Sequence, residues 1–153
     1  MISDKQQLKE KLIRFQQQIS ELKQALAQKE TQFQEREKNL FSDFFEIVDA
    51  LENIDRFVAS KQDQMDKTGK KLGKNIGAVH RKLLRQLRSR GIVPIHFSDN
   101  KAAMETCKII ETREQPDLDN ETILEILKTG YMNEQDSTVI RKAEVITVLN
   151  ADG

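Results

Sequence analysis

The sequence predicts an α+β fold in three parts: a long N-terminal coiled-coil helix, a helical hairpin forming a dimeric four-helix bundle, and a small C-terminal all-β domain. Three observations carry this. A heptad seam runs through the first forty residues, a second helical stripe ends at a glycine, and beyond that glycine the apolar residues cluster in short strand-like runs. The parts divide into residues 1–40, 41–91 and 92–153.

In the stalk, Leu8, Leu12, Phe15, Ile19, Leu22, Leu26, Phe33 and Leu40 are spaced 4, 3, 4, 3, 4, 7 and 7, the repeat that keeps one seam facing a partner helix. Lys29 and Arg36 stand where the seam lapses; their stems can snorkel, and they loosen the pairing there. No Pro or Gly precedes Gly69, so nothing obliges the helix to stop. From about residue 5 to 60 it would extend on the order of 80 Å. The stripe widens through Phe41, Phe44, Phe45, Val48, Leu51, Ile54 and Phe57. One helix cannot hide such a seam alone. We therefore expect a homodimer, with Phe44, Phe45, Val48, Leu51 and Ile54 in its core.

Residues 61–75 are polar, contain Gly69 and Gly73, and read as a connection. The following helix places Leu72, Ile76, Val79, Leu83 and Leu87 on one face, and Ile76, Val79, Leu83 and Leu87 complete the expected dimer core. It ends at Gly91, a suitable left-handed terminator, with Arg88 and Arg90 at the negative end of the dipole. Beyond it, Ile92-Val93-Pro94-Ile95, a run around Cys107, Ile109 and Ile110, Thr122 to Leu127, and Thr138 to Leu149 read as strands.

Composition narrows the function classes. Aromatics are 5% and charged residues 33%, which suits exposed helices better than one large spherical core. Zero formal net charge gives no global field toward nucleic acid or an anionic membrane. A single cysteine, Cys107, excludes an internal disulfide and suits a reducing compartment. No apolar run is long enough to span a membrane, and Met1 to Lys11 lacks the apolar stretch of a secretory signal, so a cytoplasmic location is expected. His80, His96 and Cys107 have no partners at catalytic or metal-ligand spacing, and Gly69, Gly73 and Gly77 do not follow a strand as a phosphate loop requires. We expect no enzyme activity, metal or cofactor.

Charge is segregated. Residues 41–66 hold seven acids against Arg56 and Lys61, whereas residues 67–90 hold nine bases and no acid. One reading is a helix pair with complementary outer faces. The alternative is a nucleic-acid-binding coiled coil using 67–90, against which stands the lack of any aromatic in that stretch. A coiled-coil holdase is a further alternative.

Phe44 through Glu52, Ile76 through Ile95, and Ile123 through Tyr131 with Val139 through Ala143 are three stretches that together resemble the GrpE family. Phe44 through Glu52 is similar to the family's stretch at the end of its long helix. Ile76 through Gly91 and on to Ile95 is similar to its second helix and the Gly-Val-x-x-Ile that follows. Ile123 through Tyr131, with Val139-Ile140-Arg141-Lys142-Ala143, resembles its ending. The departures are Asn53 for a usual Arg, Ala103 to Cys107 where Asp-Pro-x-x-His is usual, a longer Asn133 to Thr138 turn, and Lys142 and Glu144. They are those of a divergent paralogue. The resemblance implies a homodimeric co-chaperone that binds the ATPase domain of a DnaK-type chaperone and accelerates ADP release. It implies no nucleic-acid or membrane partner. It places Phe57, Met104, Leu127 and Arg141 at the partner contact.

Overall fold

A computed structural model describes residues 3–151 of the chain. Helix α1 spans Asp4–Ser60 and helix α2 spans Lys67–Ser89, with a short 3-10 turn at Gln62–Gln64 between them. Six strands follow: β1 (Ile92–Pro94), β2 (Cys107–Arg113), β3 (Ile123–Lys128), β4 (Tyr131–Asn133), β5 (Val139–Arg141) and β6 (Ala143–Val148). The residues form two compact units, one ending at Leu40 and the other beginning at Phe41. No described helix is long and apolar enough to cross a membrane.

The first unit is the early part of α1. Its seam, from Leu8 to Leu40, is 52–68% exposed at the eight heptad positions. Among the described residues no partner covers this apolar row, which is the physical basis for expecting one from outside the chain.

In the second unit, α2 begins well before the sequence suggests. Asp66 caps it with a carboxylate that accepts the Gly69 N–H at 2.7 Å, satisfying one of the free amides of the first turn. Gly69 and Gly73 thus lie inside the helix, contrary to the expectation of a connection over 61–75. Gly73 has a packing reason: a β-carbon there would lie 2.6 Å from Val58 Cγ1, so a larger residue would require the Val58 side chain to shift. The far end matches expectation, with Gly91 at φ +77° terminating α2.

Strands β1, β4 and β5 form one antiparallel sheet in the order β1-β4-β5, and β2, β6 and β3 form the other, with β6 parallel to β2 and antiparallel to β3. The run Thr138 to Leu149, expected as one strand, divides at Lys142, so that β5 serves one sheet and β6 the other. Tight packing accompanies the switch: a β-carbon on Gly130 would sit 2.6 Å from the Ala143 amide nitrogen.

The main core joins the two helices to the β1-β4-β5 sheet. Phe41, Phe45 and Val48 of α1 meet Leu87 of α2, Ile92 of β1 and Tyr131 of β4, with Leu83, Leu84 and Ile140 packed around them. A smaller cluster gathers Cys107, Ile123, Ala143 and Val145. The helical hairpin and the β1-β4-β5 sheet therefore share one core. This changes the expected dimer interface. Phe45, Val48 and Leu87 are at most 4% exposed within a single chain and leave no surface for a second copy. The other six expected interface residues remain accessible: Phe44, Leu51, Ile76 and Leu83 are half-buried, and Ile54 and Val79 are exposed. What reads in the sequence as one widening stripe on α1 is two stripes, one continuing the heptad phase and one turned toward the sheet.

Candidate functional site

The end of α1 carries three acids on neighbouring turns, and the β strands are fastened to two of them. Asp49 receives both terminal nitrogens of Arg141 from β5, at 2.7 Å each. The same guanidinium donates through Nε and Nη2 to the Thr129 carbonyl. It also lies against the stacked rings of Phe45 and Tyr131, 5.1 and 5.4 Å from their centroids. A two-point fork of this kind fixes geometry as well as charge. Burial alone would lower the Arg141 pKa, but the hydrogen bonds and charge of Asp49 outweigh it and hold the guanidinium more firmly protonated. One turn along, Glu52 accepts the Thr129 hydroxyl at 3.2 Å and pairs with Arg56 at 3.5 Å. A further turn along, Asp55 meets His80 Nδ1 of α2 at 2.7 Å. Residues 49, 52 and 55 thus tie one helix face to the strands and to α2.

Tyr131 lies in the middle of this arrangement. Its ring stacks on Phe45 at 4.3 Å with the planes 4° apart, and it is fully buried. Among the described residues, its buried hydroxyl has no hydrogen-bond partner. Burial pushes the phenol pKa well up, nearby Glu52 adds to this, and Arg141 opposes it.

The GrpE family profile matches residues 2–148. The chain belongs to the GrpE family. No curated protein is significantly similar to it in sequence.

The four positions that the GrpE resemblance suggests as partner contacts have different surroundings. Phe57 is 62% exposed, off the heptad phase, near the C-terminal end of α1, and Met104 is 83% exposed. Lys142 Nζ donates to the Met104 carbonyl at 2.6 Å, which holds that loop against the start of β6. Leu127 is half-buried on β3. Arg141 has each guanidinium nitrogen occupied within the chain. Met104 and Arg141 line one pocket of about 620 Å³, together with Cys107 and Lys142; Phe57 and Leu127 do not. Cys107 is buried in the smaller core cluster.

The turn in which this GrpE member departs from the family has its own internal supports. Asn133 Oδ1 accepts the Gln135 amide and Asp136 Oδ1 accepts the Thr138 amide, and Ser137 takes φ 58°. The Thr138 amide holds the exposed Asp136 carboxyl below its ordinary range. Sequence reasoning did not pair Asp49, Thr129 and Tyr131 with Arg141. The one available signal was that the stretch containing Asp49 and the stretch containing Arg141 both resemble the same family.

Proposed function

We propose that this chain is a nucleotide exchange factor that works, as a homodimer in the cytoplasm, on the ATPase domain of a DnaK-type chaperone. The observation that carries the reading is the match of nearly the whole chain to the GrpE family, strands included as well as helices. A factor of this kind makes and breaks no bonds. It binds the open form of the nucleotide cleft better than the closed form, and by linkage it weakens ADP by the same coupling factor.

The geometry supports a division of labour. Phe57, Met104 and Leu127 supply partner contacts, since two are exposed apolar side chains and the third is half-buried at a strand surface. Arg141 acts one step back, as a positioning residue that holds the strands on the end of α1. Dimer contacts come from the heptad-phase positions Phe44, Ile47, Leu51 and Ile54 and from Leu72, Ile76, Val79 and Leu83 on α2, because these are the apolar residues that the chain's own core leaves accessible.

Stopped-flow release of a labelled ADP from the cognate chaperone tests the proposal. Release should accelerate in proportion to the exchange factor below saturation, and Met104→Asp or Phe57→Asp should reduce the effect about tenfold without altering the fold. A chain that accelerates ADP release from no DnaK-type chaperone of its own cell would overturn the assignment.

A further inference from the structure

Helix α2 carries Arg81, Arg85 and Arg88 at i, i+4 and i+7, which places them on one helix face. All three are exposed. Among the described residues, none of the nine Lys and Arg side chains of residues 67–90 forms an ion pair. The complementary pairing expected from the charge segregation is therefore confined to His80 and Asp55. Like charges one turn apart oppose each other, so a row of three is held against its own repulsion.

These arginines border a pocket of about 350 Å³ that α2 forms with β1 and β4, and no carboxylate lines it. Leu84 and Ile92 supply apolar wall, and Tyr131 forms part of the lining. Arg81 borders the pocket, but its guanidinium extends back over Gly77, where Asp55 also lies.

We infer that this pocket binds the phosphate group of a small phosphomonoester, with Arg85 and Arg88 as its principal ligands. Planar guanidinium forks match phosphate oxygens two at a time. The site offers donors and no charged acceptor, which selects a multiply charged oxyanion. The apolar wall suits the organic part of a monoester, and the volume falls within the range of small-molecule sites. A polyanion track would instead use Lys67, Lys70, Lys71 and Lys74 equally, and these lie outside the pocket.

Calorimetric titration of the full chain with phenyl phosphate and with inorganic phosphate tests this, with sodium chloride and sodium sulfate at matched ionic strength. Phenyl phosphate should bind saturably and raise the melting temperature beyond either salt. Arg85→Gln and Arg88→Gln should each weaken it at least fivefold, and Lys71→Gln should leave it unchanged. Equal binding of inorganic and phenyl phosphate would support the anion site with free phosphate as its ligand. The inference is overturned if phosphate acts no differently from the matched salts, or if Lys71→Gln costs as much as Arg85→Gln. It is also overturned if a short DNA duplex binds more tightly, with a steep salt dependence that Lys70 and Lys74 share.

Discussion

Tyr131 is the chain's one tyrosine, and there is no tryptophan, so alkaline tyrosinate absorbance reads this side chain alone. Its phenol pKa is raised by burial, above the ordinary value of about 10. Stability from the buried phenol is thus fully present below that ordinary value and is lost as pH rises above it, since the unfolded chain gives up its proton first. Native protein should show little tyrosinate at a pH where unfolded protein is largely ionised. Tyr131→Phe should flatten the alkaline fall in stability, and an ordinary titration in the folded state would contradict the burial. The Arg141–Asp49 pair is the second residue-scale test. Its side chains are 21% and 16% exposed, and removing one partner strands a largely desolvated charge. Arg141→Ala should therefore cost about 2–4 kcal/mol, far more than a solvated strand charge would. Asp49→Ala should be non-additive with it in a double-mutant cycle by more than about 0.5 kcal/mol. Additive losses, or a melting temperature left unchanged, would remove the pair from the account of stability.

Two glycines show how elements meet, and the neighbouring atoms predict unequal costs. At Gly130 a β-carbon would meet backbone, the Ala143 nitrogen at 2.6 Å, and backbone held by two sheets cannot yield. Gly130→Ala should destabilise by about 1–3 kcal/mol or more. At Gly73 the obstacle is the Val58 side chain, and alanine returns about 1 kcal/mol of helix propensity. Gly73→Ala should cost at most about 2 kcal/mol by that difference, and Val58→Ala should rescue it. Thermal melts of the two single variants and the double decide both points, and failure of the rescue would place the strain elsewhere in the hairpin. Much at this scale was legible beforehand. The ends of α1, the stop at Gly91 and the strand regions follow from period and punctuation. The early start of α2 was missed because Gly69 and Gly73 resemble a linker until Val58 is known to lie opposite. The break at Lys142 was missed because Thr138 to Leu149 carries strand-forming residues throughout.

At the scale of the molecule, the heptad phase extends without a slip from Leu40 through Phe44, Ile47, Leu51 and Ile54, while Phe41, Phe45 and Val48 turn into the chain's own core. Ile54→Asp with Val79→Asp should leave the monomer fold intact and abolish dimerisation, because each introduces a charge on a face that we propose a second copy covers. Val48→Asp should instead unfold the second unit. Sedimentation with far-ultraviolet circular dichroism separates the two outcomes, and a stable dimer in the Ile54→Asp/Val79→Asp variant would refute the interface.

The sequence by itself determined what depends on order along the chain. A repeat of 3.5 residues creates a seam, capping residues end helices, and short β-branched runs make strands, because these effects act between neighbours. Family membership was legible for the same reason, as motifs kept in order. Only the tertiary structure decided which of two adjacent stripes on α1 enters the core, that Arg141 is held by an acid 92 residues away, and that a lone tyrosine is buried with no partner for its hydroxyl among the described residues. Those outcomes depend on which distant surfaces meet. Local physics sets the pieces, but the partner of a buried charge is chosen by where the chain brings its desolvated surfaces together.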